Sequence, residues 1–278
     1  MQIKPIHESW GVMIHGSYDE IMTMDLQSMA YQSDMLLFRG LGQITEQQYY
    51  SLLLKFGKPW PKEKYKYSTE YAWPIQYNGS EVCITKFSNK TATRLGGDSM
   101  PWHVDIPNHG EYSFPWRILY MVNNPNPESG ITDFMSIRLD TIKPTEEELE
   151  YYSNIKVLNQ SWYRAGEELA LNDLIKTHSI TNVKSLRLNY FVNKFQDLSK
   201  MAWIKKTFLN DQEVDNLEVI GGILKSLSNR KELVYSHQWQ NYDLIIYDNW
   251  NLIHRRSNCM LHEGEERLFW RANVQHIV

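Results

Sequence analysis

Cysteine is scarce: the 278-residue chain has two, Cys83 and Cys259. They lie far apart and in no ligand-like spacing, which argues against a disulfide-stapled fold or a thiolate metal site. Each reads as a small buried hydrophobe in a reducing compartment. Long apolar runs are also missing. No stretch approaches the roughly 20 residues of a membrane-spanning helix, and Met1 to Glu8 hold no apolar signal core. Positive charge is not in excess. The net charge of −4 gives no electrostatic footprint for nucleic acid. The expectation is a cytoplasmic protein with a small-molecule substrate and no nucleic-acid or membrane partner, self-association being left open. Internal repeats, low-complexity tracts and linkers are absent as well, so one domain over 1–278 is expected, a length that β-sandwiches and barrels commonly reach.

Aromatic residues are plentiful, at 13%, and suit a β-rich interior. The apolar spacing over 19–33 predicts a helix. Met35 to Phe38 reads as a buried strand, and Thr45-Glu46-Gln47-Gln48 caps a helix that Gly57 would end. Residues 61–80 are expected to be irregular. Glu81–Phe87, Trp116–Val122 and Ile131–Ile137 read as strands, with a turn over 123–130. The polar loop 88–101 is a candidate lid. Thr145 caps a short helix. The middle, about 150–235, is hard to read beyond a strand near 187–191 and a helix after Asp211. Strands return at 233–235, 243–247 and 267–275. Many short strands with a few outer helices predict a mainly β chain built on a double-sheet barrel or jelly roll.

Trp102-His103-Val104-Asp105 is the stretch richest in chemistry. Residues two apart on a strand share a face, so His103 and Asp105 present an imidazole and a carboxylate side by side. A second His from elsewhere would complete the two-His, one-carboxylate set of non-haem Fe(II) oxygenases. His254, after the Asp248-Asn249 turn, is the candidate, and only the fold can bring it there. On Arg267-Leu268-Phe269-Trp270-Arg271, the two arginines share a face. Inside a barrel they would be costly without anions, and a guanidinium forks onto a carboxylate. Thr132 offers a hydroxyl for the same carboxylate.

Together these stretches resemble the TauD/TfdA-like (taurine dioxygenase) branch of the Fe(II)- and 2-oxoglutarate-dependent dioxygenases. The likeness runs from Leu36–Gly40 and Phe56–Pro59, through Trp102–Asp105 and Gly130–Phe134, to Tyr247–Asn249, His254–Arg256, Arg267 and Arg271. It implies a double-stranded β-helix of the jelly-roll or cupin type, with flanking helices. It further implies Fe(II) held by His103, Asp105 and His254, and 2-oxoglutarate chelating that ion. The far carboxylate would meet Arg267 and Thr132, with Arg271 close to the cofactor or to an anionic substrate group. The implied reaction consumes O2, converts 2-oxoglutarate to succinate and CO2, and hydroxylates an unactivated C–H of a small molecule. Asn249 and Trp102 are candidates for orienting the ligands.

Plainer readings stand beside these. His109 sits in a turn, and His262-Glu263-Gly264 reads as an exposed hairpin turn. Arg255 and Arg256 read as a solvated strand edge. Arg94, Lys86 and the Tyr65, Tyr67, Tyr71 and Trp73 cluster divide evenly between pocket lining and surface packing. The competing functions are a cupin-like metal enzyme that does not use 2-oxoglutarate and a non-catalytic β-barrel binding protein.

Overall fold

Alternating strands dominate the sequence, and two of the sheets they form face each other across a cavity. The computed structural model describes residues 1–59, 72–77, 80–90, 99–104, 116–160, 168–188 and 203–275. The large sheet runs in the order Gln2–Pro5, Val12–His15, Met35–Arg39, Leu244–Asp248, Trp116–Asn123, Leu268–Gln275, Ser80–Ser88 and Ala72–Tyr77. Lys58–Pro59 pairs with the far end of Leu268–Gln275. The small sheet runs Val234–His237, Thr132–Ser136, Leu252–Arg256 and Met100–His103. Leu244–Asp248 and Leu252–Arg256 are consecutive in sequence but lie in different sheets, so the turn between them carries the chain across.

The large sheet is covered on both faces, which explains its near-continuous apolar strands. Leu36, Phe38, Ile118, Tyr120 and Ile246 face out against helices Leu26–Ser33 and Glu46–Leu53. Their strand neighbours Met35, Leu37, Leu119 and Ile245 face in, where they meet Phe134, Leu252 and Trp239. Burial of each such side chain contributes about 1.5–3 kcal/mol.

The small sheet is also covered on both faces. Its outer side, with Trp102, Met135, Ile137 and Ile253, packs against the middle of the chain. That segment forms its own sheet of Glu168–Asp173, Ile155–Gln160, Trp203–Leu209 and Gln212–Val214. A π-helical turn at Leu217–Gly221 then leads into the α-helix Gly222–Ser228. Val219, Ile220, Ile223, Leu224 and Leu227 from this stretch enter the same core.

Several sequence expectations change. The expected helix over 19–33 is two, Tyr18–Met22 and Leu26–Ser33, because Asp25 caps a fresh start through the Ser28 N–H. The Thr45 helix closes at Leu53, short of Gly57. Within 61–80, Ala72–Tyr77 is a strand paired with Ser80–Ser88. Lys184–Leu186 forms a strand just ahead of the one expected at 187–191, of which residues 189–191 lie outside the described residues. The segment just after Asp211 starts as the strand Gln212–Val214, and helix follows from Leu217. The Thr145 capping box forms as expected. Most of the 88–101 loop lies outside the described residues. No helix among the described residues is long and apolar enough to cross a membrane.

Candidate active site

The register of the small sheet decides which side chains meet. Directly paired residues of neighbouring strands project to one face. His103 pairs with His254, His254 with Phe134, and Phe134 with Tyr235. The next row along the same face holds Met100, Arg256, Thr132 and His237. An imidazole row and a row with a guanidinium and a hydroxyl therefore run side by side across one sheet.

His103 and His254 are buried, with ring centroids 4.1 Å apart and planes at 48°. His103 Nδ1 lies 2.7 Å from the Pro101 carbonyl. A carbonyl only accepts, so Nδ1 carries the proton and the Nε2 lone pair is left for a metal. The orienting partner is thus a backbone carbonyl and not Trp102, whose indole packs in the outer core and lies 4.8 Å from the Arg255 guanidinium. Two such imidazoles are a donor set that fits a divalent ion. Asp105, the third expected ligand, lies outside the described residues, as do Arg94, His109 and the Tyr65–Trp73 side-chain cluster. Among the described residues no group of three or more His, Cys, Asp or Glu converges in a way that could hold a metal ion.

The two imidazoles open on a cavity of about 630 Å³, counted out to its open mouth. Thr132, Arg256, Arg267 and Arg271 also line it, with Met100, Met121, Tyr247, Phe87 and Phe269 forming apolar walls. The structure thus gathers His103, His254, Thr132, Arg267 and Arg271 in one place. Arg267 is 5% exposed, and burial pushes its guanidinium below its ordinary value. Its Nη2 donates to the Gly130 carbonyl at 3.0 Å. Gly130 has φ of +63°, and a β-carbon there would collide with Arg267 Nη1, so the bare backbone at 130 is what lets the guanidinium lie flat. Arg271 is held over the Phe87 ring at 4.5 Å, a cation–π contact that fixes its direction.

The remaining candidates divide between the expected place and another. Arg255 is exposed and pairs with Asp133 at 2.7 Å, as a strand-edge residue should. Arg256 is buried at 8% exposure and lines the cavity, because it is two positions from His254 and shares its face. Lys86 pairs with Glu46 and sits over Trp270, away from the cavity. Cys259 is buried beside Ser129, and Asn249 is buried. Trp239 is a site residue the sequence reading missed: its Nε1–H donates to Thr132 Oγ1 at 2.8 Å. Its only signal was a Trp two positions after a strand-ending His.

Solved structures share this architecture. AAD-2 in complex with Mn(II) and N-oxalylglycine superposes with a TM-score of 0.66 at 18% identity, covering 100% of this chain and 98% of that one. A taurine dioxygenase from Burkholderia xenovorans gives 0.66 at 17%, covering 100% and 90%. The PvcB protein from Pseudomonas aeruginosa gives 0.68 at 15%, covering 98% and 91%. No curated protein sequence matches the chain. The sequence pattern described as taurine catabolism dioxygenase TauD, TfdA family matches residues 2–273. With that match over nearly its whole length, the chain belongs to the TauD/TfdA family of dioxygenases.

Proposed function

We propose that this protein is an Fe(II)- and 2-oxoglutarate-dependent dioxygenase that hydroxylates a C–H bond of a small anionic molecule. The observation that carries the reading is one cavity with two kinds of donor. Register-paired imidazoles, 4.1 Å between centroids, stand beside a buried guanidinium and a hydroxyl. In this reading His103, Asp105 and His254 hold the ion, and Arg267 with Thr132 binds the far carboxylate of 2-oxoglutarate. The bound ion and co-substrate supply, with O2, an oxidant able to attack an unactivated C–H, leaving succinate and CO2. The two facing sheets form the double-stranded β-helix of a single cytoplasmic domain. That AAD-2 was solved with Mn(II) and N-oxalylglycine, a metal and a dicarboxylate, supports the pairing of an ion with a two-headed acid.

The chain's own residues do the remaining work. Arg267 offers fixed N–H donors to one carboxylate, and a buried guanidinium gains most when an anion meets it. Phe134, Tyr247, Met121 and Phe269 keep water from the imidazoles. Arg271, held against Phe87, supplies a positive group for the substrate. A metal enzyme without 2-oxoglutarate would leave Arg267 buried with a carbonyl and the Cys259 side chain as partners and no anion to meet it. Anaerobic titration of Fe(II)-loaded protein with 2-oxoglutarate tests the reading. A metal-to-ligand absorption band that saturates, and that disappears in His103→Ala, is expected. No band and no binding would overturn it. Candidate substrates are then screened for stimulated succinate release, with a one-oxygen gain by mass spectrometry.

A further inference from the structure

His237 is fully buried behind the cavity and is not needed to explain the metal or the co-substrate directly. It ends the strand Val234–His237 and pairs in register with Thr132. Its ring stands edge-on to the Trp239 indole, with centroids 4.5 Å apart and planes at 89°. The Trp239 Nε1–H in turn reaches Thr132 Oγ1 at 2.8 Å. Two further groups hold the imidazole. Nε2 lies 3.2 Å from Asp243 Oδ2, and Nδ1 lies 3.1 Å from the Tyr235 hydroxyl. Arg39 forks onto the same aspartate, Nε to Oδ1 at 3.0 Å and Nη2 to Oδ2 at 2.8 Å, and the Gln240 N–H adds 2.9 Å.

The proton positions follow. Asp243 is buried, which alone would raise its carboxyl, but its contacts with His237 and Arg39 hold it below the usual range. It is therefore an ionised acceptor. Burial keeps His237 neutral, opposed by Asp243 and aided by the nearby Arg39 and Arg267 charges. A neutral imidazole against a carboxylate puts its proton on Nε2, and Nδ1 accepts from Tyr235. Arg39 and the Gln240 N–H donate to Asp243, and the Asp243 carboxylate and the Tyr235 hydroxyl stand against the two ring nitrogens. An indole N–H only donates, so Thr132 Oγ1 accepts from Trp239 and its own proton is directed away from the indole.

We infer that His237 is a positioning residue for the co-substrate end of the cavity: by bracing Trp239, it fixes the Thr132 hydroxyl as a donor beside Arg267. Thr132 and Arg267 then both present donors to the cavity, a pair suited to the oxygens of one carboxylate. This rests on the 2-oxoglutarate reading above. A hydroxyl donating to a carboxylate is worth about tenfold in affinity.

The test is a double-variant cycle on anaerobic Fe(II)-loaded protein, read as the 2-oxoglutarate dissociation constant from the absorption band, with melting curves alongside. His237→Ala and Trp239→Phe should each weaken binding by about tenfold. The double variant should be no weaker than either single one, because both act through one hydroxyl. Unchanged binding in His237→Ala overturns the inference, and so do losses that multiply to about 100-fold, since independent effects add in free energy. If His237→Ala does not fold, Tyr235→Phe takes its place. It removes only the hydroxyl facing Nδ1, and a loss of about threefold, again absent on top of Trp239→Phe, is expected. Unchanged binding there overturns the inference equally. Wild-type protein that binds no 2-oxoglutarate overturns the proposed function and this inference with it, whereas wild-type binding with an unaffected His237→Ala overturns this inference alone.

Discussion

Two buried polar clusters sit at opposite ends of the Leu252–Arg256 strand, and they are built on opposite plans. At the Asp248–Asn251 turn the groups satisfy one another. Asn251 Nδ2 bridges Asp34 Oδ1 at 2.9 Å and Asp248 Oδ2 at 3.2 Å, and Arg138 Nη1 meets Asp34 Oδ2 at 3.0 Å. His178 Nε2 faces Asp248 at 3.2 Å, and Ser185 Oγ donates to Asn251 Oδ1 at 2.6 Å. Carboxylates, cation and amide close a circle. In the cavity, by contrast, Arg267 has a backbone carbonyl and the Cys259 side chain for partners and no carboxylate at ion-pair distance among the described residues. A structural cluster uses up its own charges. A binding cluster keeps a surplus of one sign for a guest. His178 and Ser185 come from the middle segment, as does Lys176, whose ammonium lies 5.3 Å from the Trp250 ring centre, so the closed cluster also fastens that segment to the turn that starts the His254 strand.

The contrast can be broken at either end. The largest effect belongs to His254→Ala, which should cut succinate formation by more than about 100-fold, beyond what loss of an outer partner costs, while the melting temperature stays near wild type. Arg138→Met opens the closed cluster and leaves Asp34 without its cation. A loss of about 3–5 kcal/mol in denaturant unfolding is expected, with the 2-oxoglutarate affinity of the folded fraction unchanged. Arg267→Met reverses that pattern. Its 2-oxoglutarate dissociation constant should rise by about 30-fold, equivalent to roughly 2 kcal/mol, with melting unchanged or raised because an under-compensated cation has left the interior.

A pH experiment sharpens the comparison further. Burial, helped by the Arg187 charge, pushes Lys176 down to about 7 in the folded protein, whereas an unfolded lysine titrates near 10.4. Between those values the unfolded chain binds the extra proton, so stability rises with pH from about 7 towards 10. Lys176→Met should flatten that slope in melts across the window. Asp34 behaves in the opposite sense. Burial and the Asp248 charge raise it to about 6, so it favours folding at acid pH and that gain is lost as pH rises through about 6. The smallest effect is expected at the surface: Arg255→Ala should change stability by less than about 1 kcal/mol, as exposed ion pairs do.

Much of the site was legible because its residues sit at strand spacing. His103, His254, Thr132, Arg267 and Arg271 each sit on or beside a short β run whose alternation fixes their face. Arg256 was misread by neglect of that same rule, since a residue two after an inward His also points inward. Trp239 and His237 were not legible. Their roles depend on a loop that folds the indole back onto Thr132, and nothing local in Gln238 to Gln240 announces that return. The middle segment was opaque for another reason. Its central pairing, Ile155–Gln160 with Trp203–Leu209, joins strands remote in sequence, and a π-helical turn at Leu217–Gly221 blurs the helical period.

Among the described residues, Met100–His103 is the last strand of the small sheet and pairs with one neighbour, Leu252–Arg256. One imidazole of the pair thus rides on the sheet's rim while the other is seated in its interior. An ion gripped by both would act as a clasp across chain positions 103 and 254. Removing it should therefore loosen the rim first, exposing the peptide bonds around Met100 to protease while the remainder of the sheet stays closed.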